Sequence, residues 1–210
     1  MKTILVIIVA AFLVACAGKV DYTRPTAVVP PGSNSKIIDR PRDTVWSTAV
    51  PELGKRFFVI NNLDKSSGLI NISYTGDPDK YVDCGRIISF VKNARGERTY
   101  NFAGSSAQQS YEIMESGGLF FIDRRMTLEG RVNLIFEEVS PSQTRVTANT
   151  RYVVQRTRAI RAAANNASQT LSDSISFKSA SSASFPGHES QAAQCAATGA
   201  LEQEILEALR

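Results

Sequence analysis

Two neighbouring stretches of the chain alternate strictly between apolar and polar residues, and this alternation constrains the fold more than any other feature. The apolar positions are Met126, Leu128, Val132, Leu134 and Phe136 in the first stretch and Val146, Ala148, Tyr152 and Val154 in the second. A period of two puts every second side chain on the same face of a strand. The stretches are similar in length and are separated by the turn residues 139–143, so they predict a long antiparallel hairpin with one buried face.

Helical spacing of apolar residues predicts one helix on each side of this hairpin. The first helix has Asp43 as its N-cap and Trp46 as a core residue, and the second includes Leu201 and Ile205. Shorter strands are expected before the hairpin. Within residues 87–118, Ile87 to Val91 could form a further strand, and the glycine-punctuated remainder is mostly loop-like. We therefore expect a two-layer α+β domain in which an antiparallel sheet packs against an N-terminal and a C-terminal helix.

The first fifteen residues have the layout of a secretory signal. A positive start, Met1-Lys2, precedes an apolar run that is too short to span a bilayer by itself. The run closes with Leu13-Val14-Ala15-Cys16, which resembles a bacterial lipobox. We expect residues 1–15 to be a lipoprotein signal peptide, with an ordinary signal peptide that is cut elsewhere as the alternative.

Cys16 would then carry the lipid and become the first residue of the mature protein. Ala17 follows it instead of the Asp that retains lipoproteins at the inner membrane of enteric bacteria, so we expect an anchor on the periplasmic side of the outer membrane. Residues 16–41 are rich in proline and predict an extended tether. Residues 42–210 are then long enough for a single domain.

Two further cysteines, Cys84 and Cys195, remain if Cys16 is lipidated. Because the periplasm is oxidising, the simplest use of an even pair is a disulfide. A redox-active role is not expected, since the chain has no Cys-x-x-Cys motif.

Four arginines, Arg151, Arg156, Arg158 and Arg161, lie within eleven positions and form a candidate partner-binding segment. They would contact an acidic protein or anionic lipid head groups, and the alternative is a set of solvated residues on strand edges and a loop. The formal net charge is +4, which falls to +3 without Lys2. This excess is too small to favour nucleic acid as a partner.

The chain lacks the residue patterns that catalysis and metal binding need. Its only histidine, His188, lies in a Ser/Pro/Gly-rich stretch without a nucleophile motif. A zinc site is not expected with one histidine, and Asp77, Asp79 and Asp83 fit a polar turn better than a calcium loop. The sequence thus predicts no catalytic residues, no metal, no cofactor and no enzyme.

The layout of the chain resembles the BamC, or lipoprotein-34, family of the β-barrel assembly machinery. The resemblance in residue detail covers 43–75, through Asp-x-Val-Trp at 43–46 and Ser-Gly-Leu-Ile at 67–70. It implies a helix-grip fold and a non-enzymatic accessory subunit. BamC has two such domains and a long N-terminal segment, whereas this chain has room for one domain and a short tether.

The expected function is an accessory or structural subunit of an envelope protein assembly, such as barrel assembly or a secretion or pilus apparatus. The alternative is a periplasmic binding module for a lipid or another small apolar ligand. An open apolar cavity of several hundred Å³ would distinguish the second function from the first. The residues that would line such a cavity are Leu128, Val132, Leu134, Phe136 and Tyr152.

Overall fold

The computed structural model describes residues 17–56, 58–187 and 193–209, and 60% of these residues lie in strands and 12% in helices. The strands are β1 (Ala17–Thr23), β2 (Ser35–Ile38), β3 (Val59–Asp64), β4 (Leu69–Gly76), β5 (Val82–Asp83), β6 (Arg86–Asn93), β7 (Gly96–Ala103), β8 (Gln108–Glu115), β9 (Gly118–Ser140), β10 (Gln143–Ala162), β11 (Ser168–Lys178), β12 (Ser182–Ser184) and β13 (Gln194–Ala197). The helices are α1 (Arg42–Gly54) and α2 (Ala200–Ala208).

The antiparallel hairpin of β9 and β10 is the centre of the fold, as the alternation predicts. The two strands pair from Ser140 and Gln143 at the turn to Phe120 and Ala162 at the far end, with one register shift between Gln143 and Thr144. Even-numbered residues form the inner face, where Val132, Leu134 and Tyr152 have no exposed surface. Both strands are longer than the alternating stretches, because the pairing continues through the arginine-rich residues after Val154.

Five further strands complete a seven-stranded sheet around this hairpin. β8 and β4 pair with successive parts of β9, and β3 pairs with the other side of β4. β2 and β11 pair with successive parts of β10. Two three-stranded sheets, β1-β6-β7 and β12-β13-β5, pack beside it.

Both helices cover the inner face of the hairpin near its turn. Trp46 of α1 meets Phe136 edge-on with ring centroids 5.2 Å apart. α2 approaches β9 at Gly130, where a Cβ atom would lie only 2.9 Å from the Leu201 side chain. A buried carboxylate fixes α2 to the sheet, because Glu202 accepts hydrogen bonds from the hydroxyl groups of Tyr152 (2.7 Å) and Ser179 (2.6 Å).

The predicted two-layer α+β helix-grip class is wrong, because the described chain is mostly β and contains three sheets. The largest difference falls on residues 87–118, where β7 and β8 replace expected loops, while β6 includes the possible strand at 87–91. Most of β7 is exposed on both faces, so its sequence carries little apolar alternation. Its strand conformation is maintained by pairing along the whole length of β6.

The segment predicted as a tether contributes two strands to the fold. Ala17–Thr23 pairs with β6, and Ser35–Ile38 pairs with β10. Lys36 also donates hydrogen bonds to the carbonyl groups of Leu206 (3.3 Å) and Leu209 (2.8 Å) at the end of α2. The part of the segment from residue 17 onward is therefore packed against the domain. The signal peptide and Cys16 lie outside the described residues.

The disulfide expected from the cysteine count, Cys84–Cys195, is present. Both cysteines are fully buried, and the bond connects β13 to the residue that follows β5. It closes a loop with a sequence separation of 111 residues. Because a disulfide restricts the unfolded chain, a bond of this kind stabilises a domain by about 2–4 kcal/mol.

Candidate partner-binding face

Three basic residues lie side by side on the outer face of the sheet, which is the face turned away from the helices. Lys178 of β11 is directly opposite Arg151 of β10, and Arg151 is directly opposite Arg131 of β9. All three side chains are exposed. Because neighbouring strands are about 4.8 Å apart, this cationic row places three positive charges within about 10 Å across the sheet.

A row of asparagine side chains runs parallel to the cationic row, two residues away along each strand. This amide row consists of Asn149, Asn133 and Asn71, which occupy directly paired positions on β10, β9 and β4. Asn71 donates a hydrogen bond to Asn133 (2.7 Å), and Asn34 donates one to Asn149 (3.3 Å). The distance between the two rows is about 7 Å, which is two residues of an extended strand.

The two rows line a shallow depression of about 520 Å³. Its wall contains the three cations, the three amides and two hydroxyl residues, Thr150 and Ser179. We call this surface the basic-amide face. It combines positive charge with hydrogen-bonding groups and presents no aromatic side chain, which suits an acidic polar surface better than an apolar ligand.

The positive charges of the cationic row repel one another across the paired strands, and this repulsion does not favour folding. Arg131 forms an ion pair with Glu129 of its own strand, with 2.6 Å between Nε and Oε1. Within the described parts of the chain, neither Arg151 nor Lys178 forms an ion pair. Like charges at directly opposite positions of an antiparallel pair are destabilising. We therefore expect the row to lower the stability of the free protein.

Two of the four predicted partner-binding arginines lie in the core of the structure and not on its surface. Arg156 and Arg158 occupy the inner face of β10 and are only 3% and 7% exposed. Arg156 donates two hydrogen bonds to the Asp173 carboxylate (2.9 and 2.7 Å) and lies 4.2 Å from the centroid of the Phe185 ring. Arg158 donates to the same carboxylate at 3.2 Å. Buried in this way, they are out of reach of a partner.

The two guanidinium groups determine the ionisation of Asp173. Burial raises the pKa of this carboxyl, but the hydrogen bonds from Arg156 and the charges of both arginines outweigh burial and bring the pKa below its usual value. Asp173 is therefore a carboxylate at neutral pH. It neutralises part of the positive charge beneath the sheet.

Arg161 lies apart from the other three arginines, at the end of β10 that is far from the hairpin turn. Its guanidinium packs over the Phe121 ring at 4.4 Å and donates a hydrogen bond to Asn166 at 3.2 Å. Ten residues of extended strand separate it from Arg151, a distance of about 33 Å. Of the four predicted residues, only Arg151 lies on the basic-amide face.

Arg131, Lys178 and the three asparagines were not among the sequence-predicted site residues. The alternation of the sequence predicts that Arg131 and Arg151 lie on the outer face, because both occupy polar positions of the predicted hairpin. The register that brings them together follows from the turn. Lys178 carries no comparable signal, since it joins the row only through the pairing of β11 with β10.

Comparisons with protein-family models, with curated proteins and with solved structures find no match. The resemblance to the BamC family thus stays a prediction. Among the described residues, no group of three His, Cys, Asp or Glu side chains could hold a metal ion, and His188 lies outside them. No helix in the described ranges has the length and apolar character of a membrane span.

Proposed function

We propose that this chain is a non-enzymatic lipoprotein of the outer membrane that faces the periplasm and serves as a subunit of an envelope protein assembly. It binds an acidic partner protein of that assembly through the basic-amide face. The cationic row of Arg131, Arg151 and Lys178 is the observation that carries this proposal.

The row fits a binding role better than a structural one. Arg151 and Lys178 gain no ion pair within the described chain and repel each other across the strand pair. Acidic side chains of a partner would relieve that repulsion, and the amide row would supply hydrogen bonds beside it. Charge complementarity of this kind directs encounter and selects the partner.

The location rests on the N-terminal sequence alone. The Leu13–Cys16 motif supports lipid attachment, and Ala17 supports the outer membrane. A barrel-assembly, secretion or pilus apparatus is then the class of machine that the protein would serve, by analogy of layout.

The alternative function, a carrier of a small apolar ligand, has less support. Its candidate lining residues, including Leu134, Phe136 and Tyr152, are at most 2% exposed. A cavity of several hundred Å³ would leave accessible surface on the side chains around it. The packing of these residues instead favours a filled core.

Crosslinking and copurification from intact envelopes test the proposal. The full chain carries a tag at its C-terminus, and the wild type is compared with an Arg151→Glu, Lys178→Glu double variant. Arg145→Glu is the matched control, because Arg145 lies on the same outer face but pairs with Glu137 at 3.9 Å. Proteins that copurify are identified by mass spectrometry.

We expect stoichiometric recovery of envelope-assembly proteins with the wild type and the control, and a loss of roughly tenfold or more with the double variant. Recovery of the lipoprotein alone in every sample would contradict the assembly role. Equal recovery with the double variant would contradict the assignment of the basic-amide face.

A further inference from the structure

The first described residue, Ala17, lies at the end of the domain that is far from the β9–β10 turn. It is the first residue of β1, and its strand partner is Lys92, which directly precedes the β6–β7 turn. Gly18 lies against β8, since a Cβ atom at this position would collide with the Met114 side chain. The N-terminal strand is therefore fixed to two neighbouring strands from its first residues onward.

Three turns meet at the same end of the domain, and we call the surface that they form with Ala17 the anchor end. They are the β6–β7 turn (94–95), the β8–β9 turn (116–117) and the β10–β11 turn (163–167). Asn93, Leu119 and Asn166, which lie in or beside these turns, line one shallow depression. A backbone hydrogen bond from Ala163 to the Leu119 carbonyl (2.9 Å) also joins two of the turns.

A lipid on Cys16 would hold the anchor end at the membrane surface, and this step rests on the lipidation proposed above. Cys16 is bonded directly to Ala17, so no free linker separates the lipid from β1. One residue step, one strand spacing and three further residues place Cys16 at most about 20 Å from Arg95, in the β6–β7 turn. The domain is therefore held in contact with the surface that carries its lipid.

Two exposed arginines of the anchor end carry charges that the described chain does not neutralise. Arg95 and Arg161 line the same depression, and neither forms an ion pair within the described residues. The Arg161 guanidinium lies 4.4 Å from the centroid of the Phe121 ring and donates a hydrogen bond to Asn166 at 3.2 Å. A guanidinium fixed in this way loses little freedom when it binds phosphate oxygen atoms, which its planar group matches.

Apolar side chains lie beside these two charges. Leu119, Phe120 and Phe121 are consecutive residues at the start of β9, and each is only partly buried. Successive side chains of a strand point to opposite faces, so the three present apolar surface on both sides of the sheet. Basic side chains next to partly exposed apolar ones are typical of surfaces that lie in the head-group region of a bilayer.

We propose that the anchor end lies against the periplasmic leaflet of the outer membrane, with Arg95 and Arg161 bound to lipid phosphate groups. The lipid on Cys16 attaches the domain, and the two arginines fix its orientation. A few basic residues contribute only modestly to membrane binding by themselves. They suffice here, because the lipid already holds them at a high effective concentration beside the surface.

This orientation keeps the basic-amide face free for a protein partner. Arg151 lies ten residues before Arg161 on β10, which is about 33 Å farther from the anchor end along the strand. The two exposed basic surfaces of the domain therefore serve different partners. One contacts lipid, and the other points into the periplasm.

Fluorescence quenching in vesicles tests this orientation. The full-length lipoprotein is reconstituted in vesicles of phosphatidylethanolamine and phosphatidylglycerol that include a lipid with a nitroxide on its head group. A fluorophore is attached through Ala164→Cys in the β10–β11 turn or, as the matched control, through Ser142→Cys in the β9–β10 turn. Both positions are exposed, whereas the native disulfide is fully buried and does not compete for the label.

We expect at least about fivefold stronger quenching at the Ala164 site than at the Ser142 site, because β9 extends roughly 66 Å between Phe120 and Ser140. Nitroxide quenching acts only at short range. Ala164 is also remote from Cys16 in sequence, so quenching there reports contact of the anchor end and not attachment alone. Equal quenching at the two sites, or stronger quenching at Ser142, would overturn the proposal.

A second comparison tests the two arginines. In the protein labelled at Ala164, an Arg95→Gln, Arg161→Gln double variant should reduce quenching by about threefold or more. Arg145→Gln is the control and should leave quenching unchanged, since Arg145 lies near the opposite end of β10 and pairs with Glu137. High salt should reduce quenching of the labelled protein without these substitutions. Quenching that resists both the double variant and salt would refute phosphate binding by these arginines.

Two further measurements separate this proposal from the proposed function. Mass spectrometry shows whether Cys16 carries lipid, and flotation shows whether the protein stays with the vesicles. An unlipidated chain would contradict both the proposed location and the orientation. A lipidated, vesicle-bound chain without quenching at the Ala164 site would contradict the orientation alone and leave the assembly role intact.

Discussion

The inner and outer faces of the central hairpin carry the same kind of residue in opposite circumstances. On the inner face, Arg156 and Arg158 are buried and share the Asp173 carboxylate. On the outer face, Arg151 is exposed, faces Lys178 across the strand pair and forms no ion pair in the described chain. Because successive side chains of β10 point to opposite faces, neighbouring positions lie in these two different environments.

This contrast shows that the role of each arginine depends on whether its position in β10 faces inward or outward. The density of arginines in the sequence does not determine that role. A buried guanidinium requires a partner, because an unpaired charge in a low-dielectric interior is strongly destabilising. An exposed guanidinium is solvated and needs none. The inner arginines therefore serve stability, and the outer ones are free to serve binding.

Removal of the shared carboxylate should have the largest effect on stability. Asp173→Asn leaves Arg156 and Arg158 without their common counter-charge beneath the sheet. We expect the free energy of unfolding to fall by about 3–5 kcal/mol, because removing one partner of a buried ion pair is strongly destabilising. Urea unfolding at neutral pH measures the loss.

Asp123→Asn is the control for that variant, since Asp123 is an exposed residue of β9 with a single hydrogen bond from Ser110. It should change the free energy of unfolding by no more than about 0.5 kcal/mol. A loss of the same size in both variants would contradict the distinction between the two faces.

Acid should remove part of the same stabilisation. The pKa of Asp173 is lower in the folded than in the unfolded protein, so its contribution is fully present above the unfolded value of about 3.9 and is lost as the pH falls through the folded value. We expect the urea midpoint of the wild type to fall more steeply below about pH 4 than that of Asp173→Asn. Parallel curves for the two proteins would show that Asp173 does not titrate in this way.

Neutralising one cation of the outer row should have a small effect of the opposite sign. Lys178→Gln removes the charge directly opposite Arg151, and we expect the free energy of unfolding to rise by about 0.2–1 kcal/mol. Arg145→Gln on the same face removes a favourable pairing with Glu137 and should lower it by a few tenths, about 0.2–0.5 kcal/mol. Thermal unfolding at low ionic strength measures both changes, and a fall for both variants would disprove repulsion within the row.

Salt should have the smallest effect. An increase in ionic strength from about 0.01 to 0.15 M shortens the screening length from about 30 to 8 Å, which weakens the repulsion among the exposed cations. The stability advantage of Lys178→Gln over the wild type should therefore shrink in salt. Calorimetric scans of both proteins at the two ionic strengths test this, and a constant or growing advantage would contradict it.

The hairpin, both helices and the disulfide could be predicted from the sequence. The hairpin and the helices follow from the local spacing of apolar residues, and the disulfide follows from the number of cysteines. The alternation through Phe136 and Tyr152 needs only the period of a strand, and the pair Cys84–Cys195 needs only the cysteine number and an oxidising compartment. The fold class could not, because β7 and the N-terminal strands are specified by distant partners and not by their own composition.

The site could be predicted only in part, for a related reason. Arg151 was found because it lies in a basic cluster, but the same criterion selected the buried Arg156 and Arg158. Both follow Tyr152 and Val154 at every second position, and therefore lie on the same, inward face of the strand. This alternation is the sequence signal that would have distinguished the buried arginines from Arg151. The position of Lys178 beside Arg151 depends on a pairing between strands that the sequence does not specify locally.

Unfolding of two single variants on opposite faces of β10 separates the roles of the inner and the outer arginines. Arg151→Gln and Arg156→Gln make the same chemical change five residues apart on one strand. We predict that Arg156→Gln lowers the free energy of unfolding by at least about 3 kcal/mol, while Arg151→Gln leaves it unchanged or raises it slightly. A comparable loss in both variants would show that the outer arginine is structural as well, and that the two faces do not differ in this way.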